Sequence, residues 1–224
     1  MITVHHLNNS RSQRVLWLLE ELGVPYEIKR YQRDARTMLA PSALRKVHPL
    51  GKSPVITDGD LTIAESGAIS EYLVERYGKG ALAPPASAPA HRRYVYWMHY
   101  AEGSLMPLLV MKLIFSRIRS APMPFFVKPV ARLIVKNVSD GYLEPQIRLH
   151  LAYLEGELTK STWFAGDEFT AADVQMSFPV EAAAVRAGLG TDHPRLQAWL
   201  DRAQARPAYQ RALEKGGPIE ILTG

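Results

Sequence analysis

Val15, Leu18, Leu19 and Leu22 recur at i, i+3, i+4 and i+7, with Glu20 and Glu21 on the other side, and Gly23 and Pro25 end the run. This is an amphipathic helix. The β-prone residues 3–7 before it and 26–31 after it read as strands, which predicts a right-handed βαβ unit with parallel strands. A loop containing Pro41 and a short helical piece at residues 42–46 come next. Two more apolar runs, Val55-Ile56-Thr57 and Leu61-Thr62-Ile63, flank Asp58-Gly59-Asp60, where Gly59 supplies the positive φ of a tight hairpin. At Glu65-Ser66 the period changes from alternation to helical, with Ile69, Tyr72, Leu73 and Arg76 along one side. Residues 1–80 therefore form an α/β domain of βαβ followed by ββα.

Residues 81–90, ALAPPASAPA, are small, uncharged and proline-rich, the composition of a linker. Residues 91–224 are helical in pattern. One helix is expected over 94–115, bent at Gly103 and Pro107, and others over 131–138 and 142–158, with a proline-punctuated loop at 121–129. Thr170 and Asp173 form a capping box, and Phe169 and Val174 have the spacing of a hydrophobic staple. The helix they open reaches about Arg186, has few charges, and belongs at the domain's centre. Pro179 inside it must bend the helix or leave a carbonyl without its partner. His193-Pro194 opens what reads as the last helix, ended near Arg206-Pro207.

Composition narrows the chemistry. With 224 residues, 47% of them hydrophobic, the chain can bury the cores of two domains. It has no cysteine, which excludes disulfides, thiolate metal sites and redox chemistry on a protein thiol; any thiol must come from a ligand. Its seven histidines lack ligand spacing, so no metal site is assigned. The net charge of +5 is spread along the chain without a basic stripe, so no nucleic-acid role is expected. The longest apolar stretch, residues 105–115, is interrupted by Lys112 and is short of the ~20 residues that span a bilayer. No basic leader precedes the first strand, and a cytoplasmic protein is expected.

The most informative stretch is residues 48–73, HPLGKSPVITDGDLTIAESGAISEYL. Gly51 and Pro54 bracket a turn, and a cis peptide at structural Pro54 would turn the Ser53 amide and carbonyl outward to pair with an extended ligand. The helix start at Glu65-Ser66 carries unpaired N–H groups that suit a carboxylate. Ser66 adds a hydroxyl, and Glu65 suits an ammonium. Singly, Ser66 reads equally as a cap and Lys52 as a turn residue. Together they describe a site for a peptide-like ligand with an α-amino-acid end.

The order of H-P-L-G-K-S-P, strand, turn, strand and E-S-G-A-I-S-E-Y-L resembles the cytosolic glutathione transferase family. NNSRSQRVLWLLEELGVPYE and F-T-A-A-D extend the resemblance, in its bacterial and fungal branch, over nearly the whole chain. It implies a thioredoxin-like N-terminal domain, an all-helical C-terminal domain, and glutathione as co-substrate without a metal. The activity implied is activation of the glutathione thiol toward hydrophobic electrophiles, with glutathione-dependent peroxide reduction as a further activity. Ser10, four residues before Arg14, stands where the family's serine or cysteine branches place the thiol-activating residue, and the Asn9 amide is the next candidate. Ser10 reads equally as a helix cap, and neither His5 nor His6 is assigned a catalytic role. By position, Ser53 pairs with the cysteinyl unit, Glu65 and Ser66 hold the γ-glutamyl end, and Lys52 meets the glycyl carboxylate. Where many members carry His, Gln or Lys for that carboxylate this chain has Leu39, leaving Lys52, His48, Arg36 or Arg45. The second substrate is expected between Asn8 and the helical face bearing Tyr100, Ser104, Leu108 and Met111, residues that serve equally as interdomain core. The resemblance also implies a homodimer. Membrane contact by the basic, apolar residues 112–136 is not expected, because prolines interrupt them. Two other readings stay open: a non-catalytic binding module on the same fold, and a glutathione-dependent isomerase, whose cysteine at the first helix this chain lacks.

Overall fold

The computed structural model describes residues 1–218. Strand β1 (Ile2–Leu7), helix α1 (Ser12–Leu22) and strand β2 (Tyr26–Tyr31) form the βαβ unit, with β1 and β2 parallel. Gly23 at φ 64° closes α1 in the left-handed conformation that glycine adopts freely. After the 3₁₀ turn Ser42–Lys46, strands β3 (Val55–Asp58) and β4 (Leu61–Ala64) make the hairpin, and α2 (Ser66–Tyr77) comes directly after it. The sheet order is β2-β1-β3-β4, with β3 antiparallel to both neighbours. This is the α/β arrangement the hydrophobic pattern predicts.

The linker ends two residues early, because Pro89 already sits in the first turn of α3 (Pro89–Tyr100). The single bent helix expected over 94–115 is α3 and α4 (Met106–Ser120) joined by a π-helical turn, Ala101–Leu105, with Gly103 at its middle. α5 (Lys128–Val138) leads through a second π turn, Ser139–Leu143, into α6 (Glu144–Glu157). The central helix α7 (Ala171–Arg186) is buried from Ala171 to Ala183. Both halves of its capping box are formed, and Phe169 packs its ring on Trp17 and Trp163.

α8 (Pro194–Gln204) is not the last helix. Arg206-Pro207 ends one helix and starts the next, α9 (Pro207–Gly216), because proline is favourable at a first helical turn. α9 returns to the N-terminal domain and lies on α1: a Cβ on Gly216 would fall 2.3 Å from Gln13 Oε1, so a larger residue there makes the Gln13 side chain shift. One hydrophobic core runs through both domains, from Val4, Leu16 and Ile69 to Trp97, Val174 and Trp199. Among the described residues no helix is long and apolar enough to cross a membrane.

Candidate active site

The β3 hairpin and the start of α2 face the π turn between α3 and α4, and the space between them is a cleft of about 350 Å³. Its lining includes Arg11, His48, Lys52, Ser53, Glu65, Ser66 and Glu102. That volume lies in the range that suits a small ligand. The Ser53–Pro54 peptide is cis, and Ser53 donates its hydroxyl hydrogen to the His5 carbonyl at 3.0 Å. Glu65 has φ 69° and ψ 123°, a conformation that a residue with a Cβ rarely takes. Such strain persists where surrounding structure over-determines it, and ligand sites are where it concentrates.

Ser66 is buried, and its Oγ accepts two hydrogen bonds, from Arg14 Nη2 at 2.8 Å and from Gln175 Nε2 at 3.2 Å. With both acceptor positions used, its own hydrogen is directed elsewhere. Arg14 is the hub behind this residue. Besides Ser66 it holds Glu102, and its Nη1 donates to the Gln175 carbonyl at 2.5 Å. Gln175 is four residues before Pro179, so its carbonyl is the one whose helical donor the proline lacks. The orphan anticipated within α7 thus has a partner, supplied by the other domain.

Glu102 sits on the π turn and is shared by Arg14 and Arg11, with Arg11 Nε at 2.9 Å. Burial opposes its charge, but the two guanidiniums outweigh burial and hold its carboxyl below the ordinary value. Arg11 also lies over the Phe178 ring, 5.5 Å from the centroid. Neither Arg11 nor Glu102 is picked out by the sequence pattern, since 91 positions separate them. Gly103, four residues before Pro107, was the one local sign of an irregular turn there, and π turns recur at functional sites.

The residues expected around the thiol lie one layer deeper. α1 begins at Ser12, and Ser10, two positions earlier, is buried with its Oγ accepting the Ser12 N–H at 3.2 Å. Ser10 Oγ is 2.8 Å from Ser12 Oγ and 3.4 Å from Ser53 Oγ, so it stands behind Ser53 rather than on the cleft wall. Asn9 has φ 51° and lines, with Asn8, Ser10 and His6, a second cavity of about 270 Å³ on the other side of the β1–α1 connection. Asn8 accepts the Arg33 N–H through Oδ1 at 2.8 Å, which ties this loop to the residues after β2.

The residues expected either to face a second substrate or to serve as core divide between buried and half-buried positions. Tyr100 and Leu108 are core residues: Tyr100 packs on Trp97, Tyr153 and His150 and bonds the His150 ring through its hydroxyl. Met111 packs against the same core, and Ser104 is half-buried on the π turn. A constant helical period does not survive the π turn, whose wider winding rotates α4 relative to α3. Leu39 is 63% exposed and not among the cleft residues, whereas His48 and Lys52 both are.

The comparisons with known proteins agree with this geometry. The model of the glutathione S-transferase N-terminal domain matches residues 1–75, and that of the C-terminal domain matches residues 124–207. The chain belongs to the glutathione S-transferase family. It is 40% identical to glutathione S-transferase 3 of Schizosaccharomyces pombe over 96% of this chain and 88% of that protein. It is 33% identical to glutathione S-transferase 1 of Saccharomyces cerevisiae over 96% and 95% of the two chains. A glutathione S-transferase crystal structure from Actinobacillus pleuropneumoniae superposes with a TM-score of 0.81, at 33% identity and 99% and 95% coverage. The protein is a glutathione transferase, with the thioredoxin-like and all-helical domains of that family.

Proposed function

We propose that the cleft between the β3 hairpin, the start of α2 and the π turn binds glutathione, with the γ-glutamyl end at Glu65 and Ser66. The observation that carries this reading is the Ser66 hydroxyl: fixed by Arg14 and Gln175 as a double acceptor, it has its hydrogen left for a ligand carboxylate. The N–H groups at the start of α2 favour the same anion. Glu65 pairs with the γ-glutamyl ammonium, and the cis-bonded Ser53 offers its backbone to the cysteinyl unit. His48 and Lys52 meet the glycyl carboxylate in place of the residue that Leu39 replaces.

Ser10 is the group proposed to act on the thiol, next to Ser53 and with Asn9 beside it. The free thiol ionises near 8.5, and a hydroxyl that donates to sulfur favours the thiolate. The thiolate then attacks a hydrophobic electrophile or a peroxide admitted beside the π turn. The working form is a homodimer in the cytoplasm. Phe125 at 84% exposure and Phe126 just before α5, with Val130, Leu133 and Ile134 exposed along it, support a face covered by a second copy.

Calorimetric titration of glutathione into the purified protein, with the ultraviolet thiolate band followed across pH, tests the assignment. Micromolar-to-millimolar binding with a thiol pKa below the free value is expected. Binding without that shift removes Ser10 from the thiol's chemistry, and no binding leaves a transferase fold used as an interaction module.

A further inference from the structure

Behind Ser10 runs a chain of polar atoms that joins the glutathione cleft to the second cavity. Ser53 Oγ lies 3.4 Å from Ser10 Oγ, Ser10 Oγ 2.8 Å from Ser12 Oγ, and Ser12 Oγ 2.9 Å from His6 Nδ1. Ser53 lines the cleft at one end, and His6 lines the 270 Å³ cavity at the other. His6, Ser10 and Ser12 are all buried.

The direction of these bonds comes from counting hydrogens. The Gly216 backbone favours the protonated form of the His6 ring, as a carbonyl facing a ring hydrogen does. With Nδ1 engaged by Ser12, that hydrogen is on Nε2, and Nδ1 is an acceptor. Ser12 has one hydroxyl hydrogen and two groups that could take it, His6 Nδ1 at 2.9 Å and the Leu7 carbonyl at 3.4 Å. The shorter bond takes it, and Ser10, which already accepts the Ser12 N–H, donates its own hydrogen to Ser12. Ser53 gives its own hydrogen to the His5 carbonyl. At rest Ser10 therefore has only a lone pair on its Ser53 side, the side nearer the cleft, which suits a thiol S–H and not a thiolate.

We propose that His6 and Ser12 are positioning residues that reverse the Ser10 hydroxyl as glutathione loses its thiol proton, and that the proton leaves through the second cavity. This rests on the glutathione reading and on Ser10 as the thiol's partner. The S–H bond breaks and its electron pair stays on sulfur, while the proton passes to Ser10 Oγ. The Ser10 hydrogen moves to Ser12, the Ser12 hydrogen to His6 Nδ1, and the Nε2 hydrogen of His6 is released to a water in the cavity. One proton enters and one leaves, nothing is oxidised, and the imidazole ends neutral as its other tautomer. Ser10 O–H now points at the thiolate. Burial first, then the charge of Arg30, pushes the His6 ring down to about 4, in keeping with a ring that changes tautomer without keeping an extra proton. His5, next along β1, turns the other way, to the Tyr31 hydroxyl, and takes no part.

The test uses the full chain. Nitrogen-15 NMR of His6 is expected to report Nε2–H in the free protein and with S-methylglutathione, and Nδ1–H once glutathione is bound as thiolate. Ser12→Ala cuts the chain with little change of volume; it should raise the pKa of bound glutathione enough to lower the thiolate fraction about tenfold near neutral pH, while S-methylglutathione binds as before. An unchanged His6 tautomer, or a thiol pKa indifferent to Ser12→Ala, overturns the proposal and leaves the glutathione site standing. Failure of the unaltered protein to bind S-methylglutathione would instead remove the site itself, and this proposal with it.

Discussion

Pro179 and Arg14 are linked through one carbonyl, and that link is measurable. Arg14→Met keeps side-chain bulk at a position whose side chain is 1% exposed, but removes the donor to the Gln175 carbonyl. A buried carbonyl left unpaired costs ~1–3 kcal/mol. Glu102 keeps Arg11 and is one-third exposed, so its lost pairing adds only ~1 kcal/mol. The variant should lose ~3 kcal/mol of stability, a large share of the ~5–15 kcal/mol typical of a folded chain. Pro179→Ala restores an N–H aimed at the same carbonyl. Its gain in helix propensity is offset by the small void left in a buried helix, so alone it should move stability little. Combined with Arg14→Met it should recover ~1–2 kcal/mol, because the carbonyl again has a donor. Urea unfolding followed by tryptophan fluorescence, over the wild type, both singles and the double, gives the coupling. Additivity within ~0.5 kcal/mol would refute the reasoning. Glutathione affinity should stay weakened in the double variant, since Pro179→Ala returns nothing to Ser66.

Ser66→Ala should weaken glutathione about tenfold by calorimetry, the effect of one charge-assisted hydrogen bond, and cost ~1–3 kcal/mol of stability because the buried Gln175 amide loses its acceptor; equal affinity would move the γ-glutamyl carboxylate elsewhere. Glu65→Gln should weaken glutathione by a similar factor yet leave the desamino analogue unaffected, a difference read by the same titration. Asp173 accepts from Phe164 N, Thr170 N, Thr170 Oγ1 and Trp199 Nε1, and burial nevertheless raises its carboxyl from 3.8 to about 6. The native state then binds its proton to higher pH than the unfolded chain, so this group's contribution to stability falls as pH rises from about 4 to 6. The loss is ~3 kcal/mol over that window, and Asp173→Asn should flatten it in urea unfolding at stepped pH. Asp173→Ala leaves buried donors without an acceptor at both the cap and the Trp199 ring, and should lose several kcal/mol, roughly 3–5 by the usual cost of such groups.

The features legible in the sequence were those set by local rules. The α1 stripe, the Asp58-Gly59 hairpin and the Thr170–Asp173 capping box each depend on residues within one or two turns, so their spacing sufficed. The scarcity of charged residues also placed α7 at the centre. Concealed were the features set by two distant segments meeting. Arg11 and Arg14 converge with Glu102 on a π turn that a constant helical period does not describe. α9 was hidden because Arg206-Pro207 reads both as a stop and as a first turn. Pro179 shows the two kinds of information meeting. Its sequence position identifies the carbonyl it orphans, four residues back, but nothing local identifies the donor. Only the fold brings Arg14 there, and the same guanidinium then fixes Ser66. A proline that weakens the central helix thereby orients a hydroxyl in the other domain, so the proposed glutathione site depends on the domains being docked.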